Sequence, residues 1–132
     1  LCASCCSASA AALLSFKQAL DAADAVKLNW QPGSDHCQWL GVYCNAVQRV
    51  YLLDLSNLGL QGTLSEAVKL GGLQQLQSIW LQGNRLAGSL PASWFMLPSL
   101  QELMLYDNAL QVSCRQLLWS VLGADTPSKV WL

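Results

Sequence analysis

The chain has 132 residues, a length that suits one domain able to bury roughly two thirds of its unfolded surface. Only 11% of residues are charged, 53% are hydrophobic and 27 positions are leucine, which points to a dense internal stripe of one residue type and not to disorder. Seven basic and eight acidic residues, spread thinly, leave a net charge of −1; this excludes nucleic-acid binding, and no run of about 18 or more apolar residues is available to cross a membrane.

Residues 1–10 read as the remnant of a secretory signal or a flexible tail, because the small-residue run contains a cleavage-like Ala8-Ser9-Ala10. Residues 11–49 form an N-terminal unit. Leu13, Leu14, Phe16 and Leu20 recur at helical spacing. Asp21, Asp24, Val26, Leu28 and Trp30 follow, and Pro32-Gly33-Ser34-Asp35 is a turn cluster. Next comes Cys37-Gln38-Trp39-Leu40-Gly41-Val42-Tyr43-Cys44.

Residues 50–110 hold an internal repeat. Leu53-Asp54-Leu55-Ser56-Asn57-Leu58-Gly59-Leu60 aligns with Ile79-Trp80-Leu81-Gln82-Gly83-Asn84-Arg85-Leu86 and with Leu103-Met104-Leu105-Tyr106-Asp107-Asn108-Ala109-Leu110. Starts at 53, 79 and 103 make the spacings 26 and 24 residues. In each Leu-x-Leu the two apolar side chains share the inward face of a short strand and x points outward. Asn84 and Asn108 stand where the chain turns off the strand, so an amide there satisfies backbone groups that burial would leave unpaired. Each coil buries its leucines against the next, so a single repeat has no stability of its own.

Gly62 and Gly88 come two residues after the returning leucine, and Leu90-Pro91 follows Gly88. With these residues the chain resembles the plant-type leucine-rich-repeat proteins, and Cys37–Cys44 together with Leu13-Leu14-Ser15-Phe16-Lys17 and Trp30 resembles their N-terminal cap. The resemblance implies an α/β solenoid: a short right-handed leucine-rich-repeat superhelix with a parallel concave sheet and a helical, disulfide-linked N-terminal cap. It implies a second short strand at the Gly-x-Leu-Pro segment and a Cys37–Cys44 disulfide that locks the strand entering the first repeat. The rival reading of the two cysteines is a metal pair with His36, which lacks a fourth ligand. An oxidised pair implies export, whereas the absence of any Asn-x-Ser/Thr glycosylation site is unusual for an exported protein of this kind.

The pattern has departures. Leu58 stands where Asn is expected, so the first turn lacks its amide, and Ser65 replaces Pro. The first unit carries two extra residues, placed with Gly71-Gly72 on the convex side, and the third repeat fails at Val112, where Gly is expected. Cys2, Cys5 and Cys6 read as leader or tail, and Cys114 is left over. Residues 111–132 are a C-terminal tail. Leu117, Leu118, Val121 and Leu122 suit an amphipathic helix that caps the open end, and the alternative is the arbitrary end of a truncated chain.

The outward positions of the strands are Asp54 and Ser56, Trp80 and Gln82, and Met104 and Tyr106, flanked by Leu52, Ser78 and Glu102. Trp80 and Met104 are expected side by side on the concave face. Apolar and aromatic side chains on an open surface mark an interaction site, so these six residues are the expected ligand contacts. No nucleophile constellation, phosphate-cradling loop or metal cluster is visible, so neither enzymatic activity, a cofactor nor a metal is expected. The function implied is an extracellular recognition module, secreted or on the outer face of a membrane-anchored parent, for a protein or peptide or a cell-wall oligosaccharide. A soluble inhibitor of a secreted cell-wall hydrolase, as in the polygalacturonase-inhibiting proteins that share this cap and repeat, is the alternative, as is a truncated receptor-like protein. A scaffold inside the cell is disfavoured by the disulfide-type cap.

Overall fold

A computed structural model describes the backbone of residues 3–111 and 129–131 and the side chains of residues 8–111. Helix α1 (Ala3–Gln18) begins within the stretch read as leader or tail. It buries Ala12, Leu13 and Phe16, one face at helical spacing. A single turn, α2 (Ala22–Ala25), follows. The buried Trp30 ring stacks on Trp39 at 5.7 Å and leans on Phe16 at 6.3 Å. Buried indoles need acceptors for their N–H groups: Trp30 donates to the Leu40 carbonyl at 3.0 Å and Trp39 to the Ser34 hydroxyl at 2.7 Å.

Among the described residues eight strands follow: β1 (Val42–Cys44), β2 (Val50–Asp54), β3 (Gln61–Leu64), β4 (Ser78–Trp80), β5 (Arg85–Ser89), β6 (Glu102–Met104), β7 (Ala109–Gln111) and β8 (Lys129–Trp131). They make the solenoid that the repeat implies. One sheet runs β1-β2-β4-β6-β8, with β1 antiparallel and the rest parallel. The other, β3-β5-β7, is the parallel second sheet expected at the Gly-x-Leu-Pro segments. Leu53, Ile79 and Leu103 are in register and fully buried, and Leu55, Leu81 and Leu105 continue the stack. Burying each such side chain is worth about 2 kcal/mol.

The cap closes the first coil on both sheets. β1 pairs with β2, and residues 19–21 pair with β3: Asp21 N–H donates to the Gln61 carbonyl at 2.8 Å and Thr63 N–H to the Ala19 carbonyl at 3.1 Å. Gly62 makes this approach possible, because a Cβ there would run into the Ala19 carbonyl. The extra residues of the first unit lie against α1, where Gly72 meets the Ala8 carbonyl. Val112, Cys2, Cys114 and the helix expected around Leu117, Leu118, Val121 and Leu122 lie outside the described residues.

At each corner one residue takes the left-handed conformation: Asn57 (φ 56°), Gly83 (φ 73°) and Asp107 (φ 56°). These are residue types that tolerate it. The next position carries the asparagine, and here the structure corrects the expectation for Leu58. Asn84 Oδ1 accepts from the Leu58 and Leu60 N–H groups at 3.2 and 3.0 Å, and its Nδ2 donates to the Leu55 and Leu81 carbonyls, both at 2.8 Å. Asn108 serves Leu86 N–H and the Leu81 carbonyl in the same way, at 3.0 and 2.8 Å. Each asparagine therefore satisfies the coil before its own. The first turn does not lack an amide; it borrows that of Asn84. No earlier repeat needs an amide at position 58, where the cap takes over: Lys27 Nζ donates to the Leu58 carbonyl at 3.3 Å and Asp24 Oδ2 accepts from Gln61 N–H at 2.9 Å.

Replacing Asn84 with Ala leaves these four buried backbone groups without their amide partner. Urea denaturation should show a loss of about 3 kcal/mol, and Asn108→Ala, at a more exposed corner, should lose about half as much.

Candidate ligand-binding face

Alternation along the strands sets the face. Leu53, Ile79 and Leu103 point into the solenoid, so their neighbours point out. The register lines up Asp54, Trp80 and Met104 in one row, with the backbone of Trp131 as the next position. Leu52, Ser78 and Glu102 form the row beside it, continued by the backbone of Lys129. Beyond the strand ends, Asn57 N–H donates to the Gln82 carbonyl at 2.9 Å and Gly83 N–H to the Tyr106 carbonyl at 3.1 Å, which carries Ser56, Gln82 and Tyr106 along as a third row. All six residues expected from the sequence therefore occupy one face, with Trp80 and Met104 side by side.

The residues differ in what they still offer. Asp54 Oδ1 accepts from both the Ser56 backbone N–H at 3.1 Å and the Ser56 hydroxyl at 2.6 Å, so Ser56 is engaged. Trp80 Nε1 donates to Glu102 Oε1, which fixes the indole beside a carboxylate. Gln82 Oε1 is buried and has no donor among the described residues. Tyr106 is 42% exposed.

Two elements of the face were not read from the sequence. Tyr43, 48% exposed, pairs with Leu52 through β1 and adds an aromatic ring to the second row; alternation across Val42-Tyr43-Cys44 carries that information. β8 adds a further parallel strand, and Val130-Trp131-Leu132 repeats the Leu-x-Leu of residues 103–105.

The cap holds the remaining chemistry. Cys37 and Cys44 are disulfide-bonded, with Cα atoms 5.6 Å apart. His36 Nε2 lies 3.6 Å from Cys37 Sγ, and the donor atoms of His36, Cys37 and Cys44 gather within 4.8 Å. The metal reading needs two free thiolates, and here the sulfurs are bonded to each other. His36 packs edge-on against Trp39 at 6.3 Å and is buried; burial pushes its pKa below the usual imidazole value, against a smaller opposing pull from Asp35. The carboxyl of Asp24 is held below its ordinary value, first by the hydrogen bond from Lys27 and then by Gln61 N–H.

Two sheets of parallel repeat strands, asparagines at the second and third corners and a bridged cap define a leucine-rich-repeat solenoid. Residues 6–45 match the family described as leucine rich repeat N-terminal domain, and residues 75–97 match leucine rich repeat. The chain belongs to the plant-type leucine-rich-repeat proteins. It is 35% identical over 99 residues to Pollen receptor-like kinase 3 of Arabidopsis thaliana, which covers 74% of this chain and 15% of that protein. The Arabidopsis receptor kinase HAESA, solved in complex with the peptide hormone IDA and the co-receptor SERK1, superposes with a TM-score of 0.69 at 29% identity, covering 94% of this chain and 20% of the other. The BIR3–SERK2 complex from Arabidopsis thaliana superposes with a TM-score of 0.60 at 31% identity, over 75% of this chain and 55% of that one. The chain thus spans about a seventh of the kinase relative named here. Among the described residues no helix is long and apolar enough to cross a membrane.

The cap groups predict how stability depends on pH. The folded state holds His36 neutral, so its contribution is complete above the unfolded value of 6.5 and declines as pH falls below it. Asp24 contributes above the unfolded value of 3.8, and that contribution is lost as pH falls through its lowered folded value. Urea midpoints measured from about pH 8 to about pH 2 should fall in two stages. His36→Asn should flatten the upper stage and Asp24→Asn the lower.

Proposed function

We propose that this chain is an extracellular recognition module that binds a protein or peptide through the concave face built from Asp54, Ser56, Trp80, Gln82, Met104 and Tyr106. The observation that carries the reading is the register of β2, β4 and β6, which sets Trp80 and Met104 in adjacent positions on an open sheet, with Tyr106 in the next row. Aromatic side chains that stay partly exposed on a rigid scaffold are the residue types that anchor interfaces. The HAESA complex with a peptide hormone and a co-receptor supports the same class of partner. The cap disulfide supports an oxidising compartment. The face fits recognition and not catalysis, because its hydroxyl–carboxylate pair, Ser56 with Asp54, includes no imidazole, and His36 sits in the cap.

The test is selection from a displayed library of random hexapeptides on the immobilised chain. Binding of the selected peptides should fall about tenfold or more in the Trp80→Ala/Tyr106→Ala double variant and persist in Val26→Ser/Met96→Ser, whose exposed apolar side chains lie off the sheet. Equal binding by all three proteins, with circular dichroism showing each one folded, rejects the concave face.

A further inference from the structure

The concave face is not chemically even. Trp80 stands at its centre, with the carboxylate of Asp54 on the neighbouring strand and that of Glu102 diagonally across on the other. Each carboxylate is only half used. Asp54 engages Oδ1 with Ser56, Glu102 engages Oε1 with the indole, and neither second oxygen has a partner among the described residues. Two residues past Trp80, beyond the end of β4, the Gln82 amide oxygen is buried and has no donor among the described residues. A buried acceptor left in this state is destabilising, and a donor that reaches it relieves the cost. The described side chains of the three rows include no cation, and the register sets the backbone of Lys129 next to Glu102 at the end of the second row.

An aromatic ring flanked by two carboxylates and an unsatisfied amide oxygen is rich in acceptors and carries a negative π-face. Its complement is planar, positively charged and supplied with several N–H groups. A guanidinium meets all three conditions: it stacks on an indole, forks onto carboxylate oxygens and keeps N–H groups for the amide. An ammonium meets the charge requirement but is compact and cannot stack. Resting on the concave-face reading, we propose that Trp80, Asp54, Glu102 and Gln82 form a subsite for the arginine side chain of an extended peptide ligand.

The hexapeptide selection supplies the probe. Selected peptides should be enriched in arginine. Replacing that arginine with citrulline, which keeps the shape and removes the charge, should weaken binding about tenfold or more, and lysine should be intermediate. The double variant Asp54→Asn/Glu102→Gln keeps side-chain acceptors for Ser56 and for the indole and removes both charges. It should abolish the preference for arginine over citrulline while leaving the thermal melt unchanged. Peptides that lose binding in Trp80→Ala yet show no arginine enrichment, or arginine peptides equally tolerant of citrulline, overturn the subsite and leave the concave face standing. Peptides indifferent to both Trp80→Ala and Tyr106→Ala, or a selection that captures nothing above background, overturn the subsite and the face together.

Discussion

Turning a chain off a buried strand leaves backbone N–H and C=O groups facing apolar side chains, where water cannot reach them. An unmade hydrogen bond there costs about as much as a buried leucine contributes. Asn84 and Asn108 resolve this with one side chain per corner, since an amide both donates and accepts. Because each reaches back to the preceding coil as well as its own, the same bonds that satisfy a corner also set the spacing and register between coils. The leucine stacks and the outward rows inherit that register.

An array tied together in this way has an unfinished first coil. The cap completes it on both sheets, with β1 on one and residues 19–21 on the other. Asp24 and Lys27, paired with each other, supply polar partners to the Gln61 N–H and the Leu58 carbonyl at that edge. The tryptophan pair packs on Phe16 of α1, and the Cys37–Cys44 bridge closes an eight-residue segment that ends in β1. A polar and covalently braced lid suits a solenoid end that would otherwise expose leucines.

Much of this was legible in the sequence because the solenoid writes its period into it. Leu-x-Leu at 53, 79 and 103 predicts the strands, their inward faces and the outward positions Asp54, Trp80 and Met104. What escaped were relations between coils. The role of Asn84 toward the Leu58 turn depends on which neighbour an amide reaches, and a repeat alignment treats each unit alone. The left-handed corner shared by Asn57, Gly83 and Asp107 was visible only as three dissimilar letters, united by tolerance of one conformation. Tyr43 joined the face through an antiparallel pairing that the parallel repeat does not suggest. β8 was hidden because Val130-Trp131-Leu132 follows a segment without the repeat pattern.

The inter-coil hydrogen bonds are tested most directly by native-state hydrogen exchange. Leu55, Asn57 and Leu81 donate across coils to the backbone of the next strand, and Leu58, Leu60 and Leu86 donate to the asparagine amides. If these bonds couple the coils, all six amides should exchange through one opening with a common free energy, the largest in the molecule. Exchange of Leu58 and Leu60 at the rate of exposed loops, or coil-by-coil opening with separate free energies, would contradict the account.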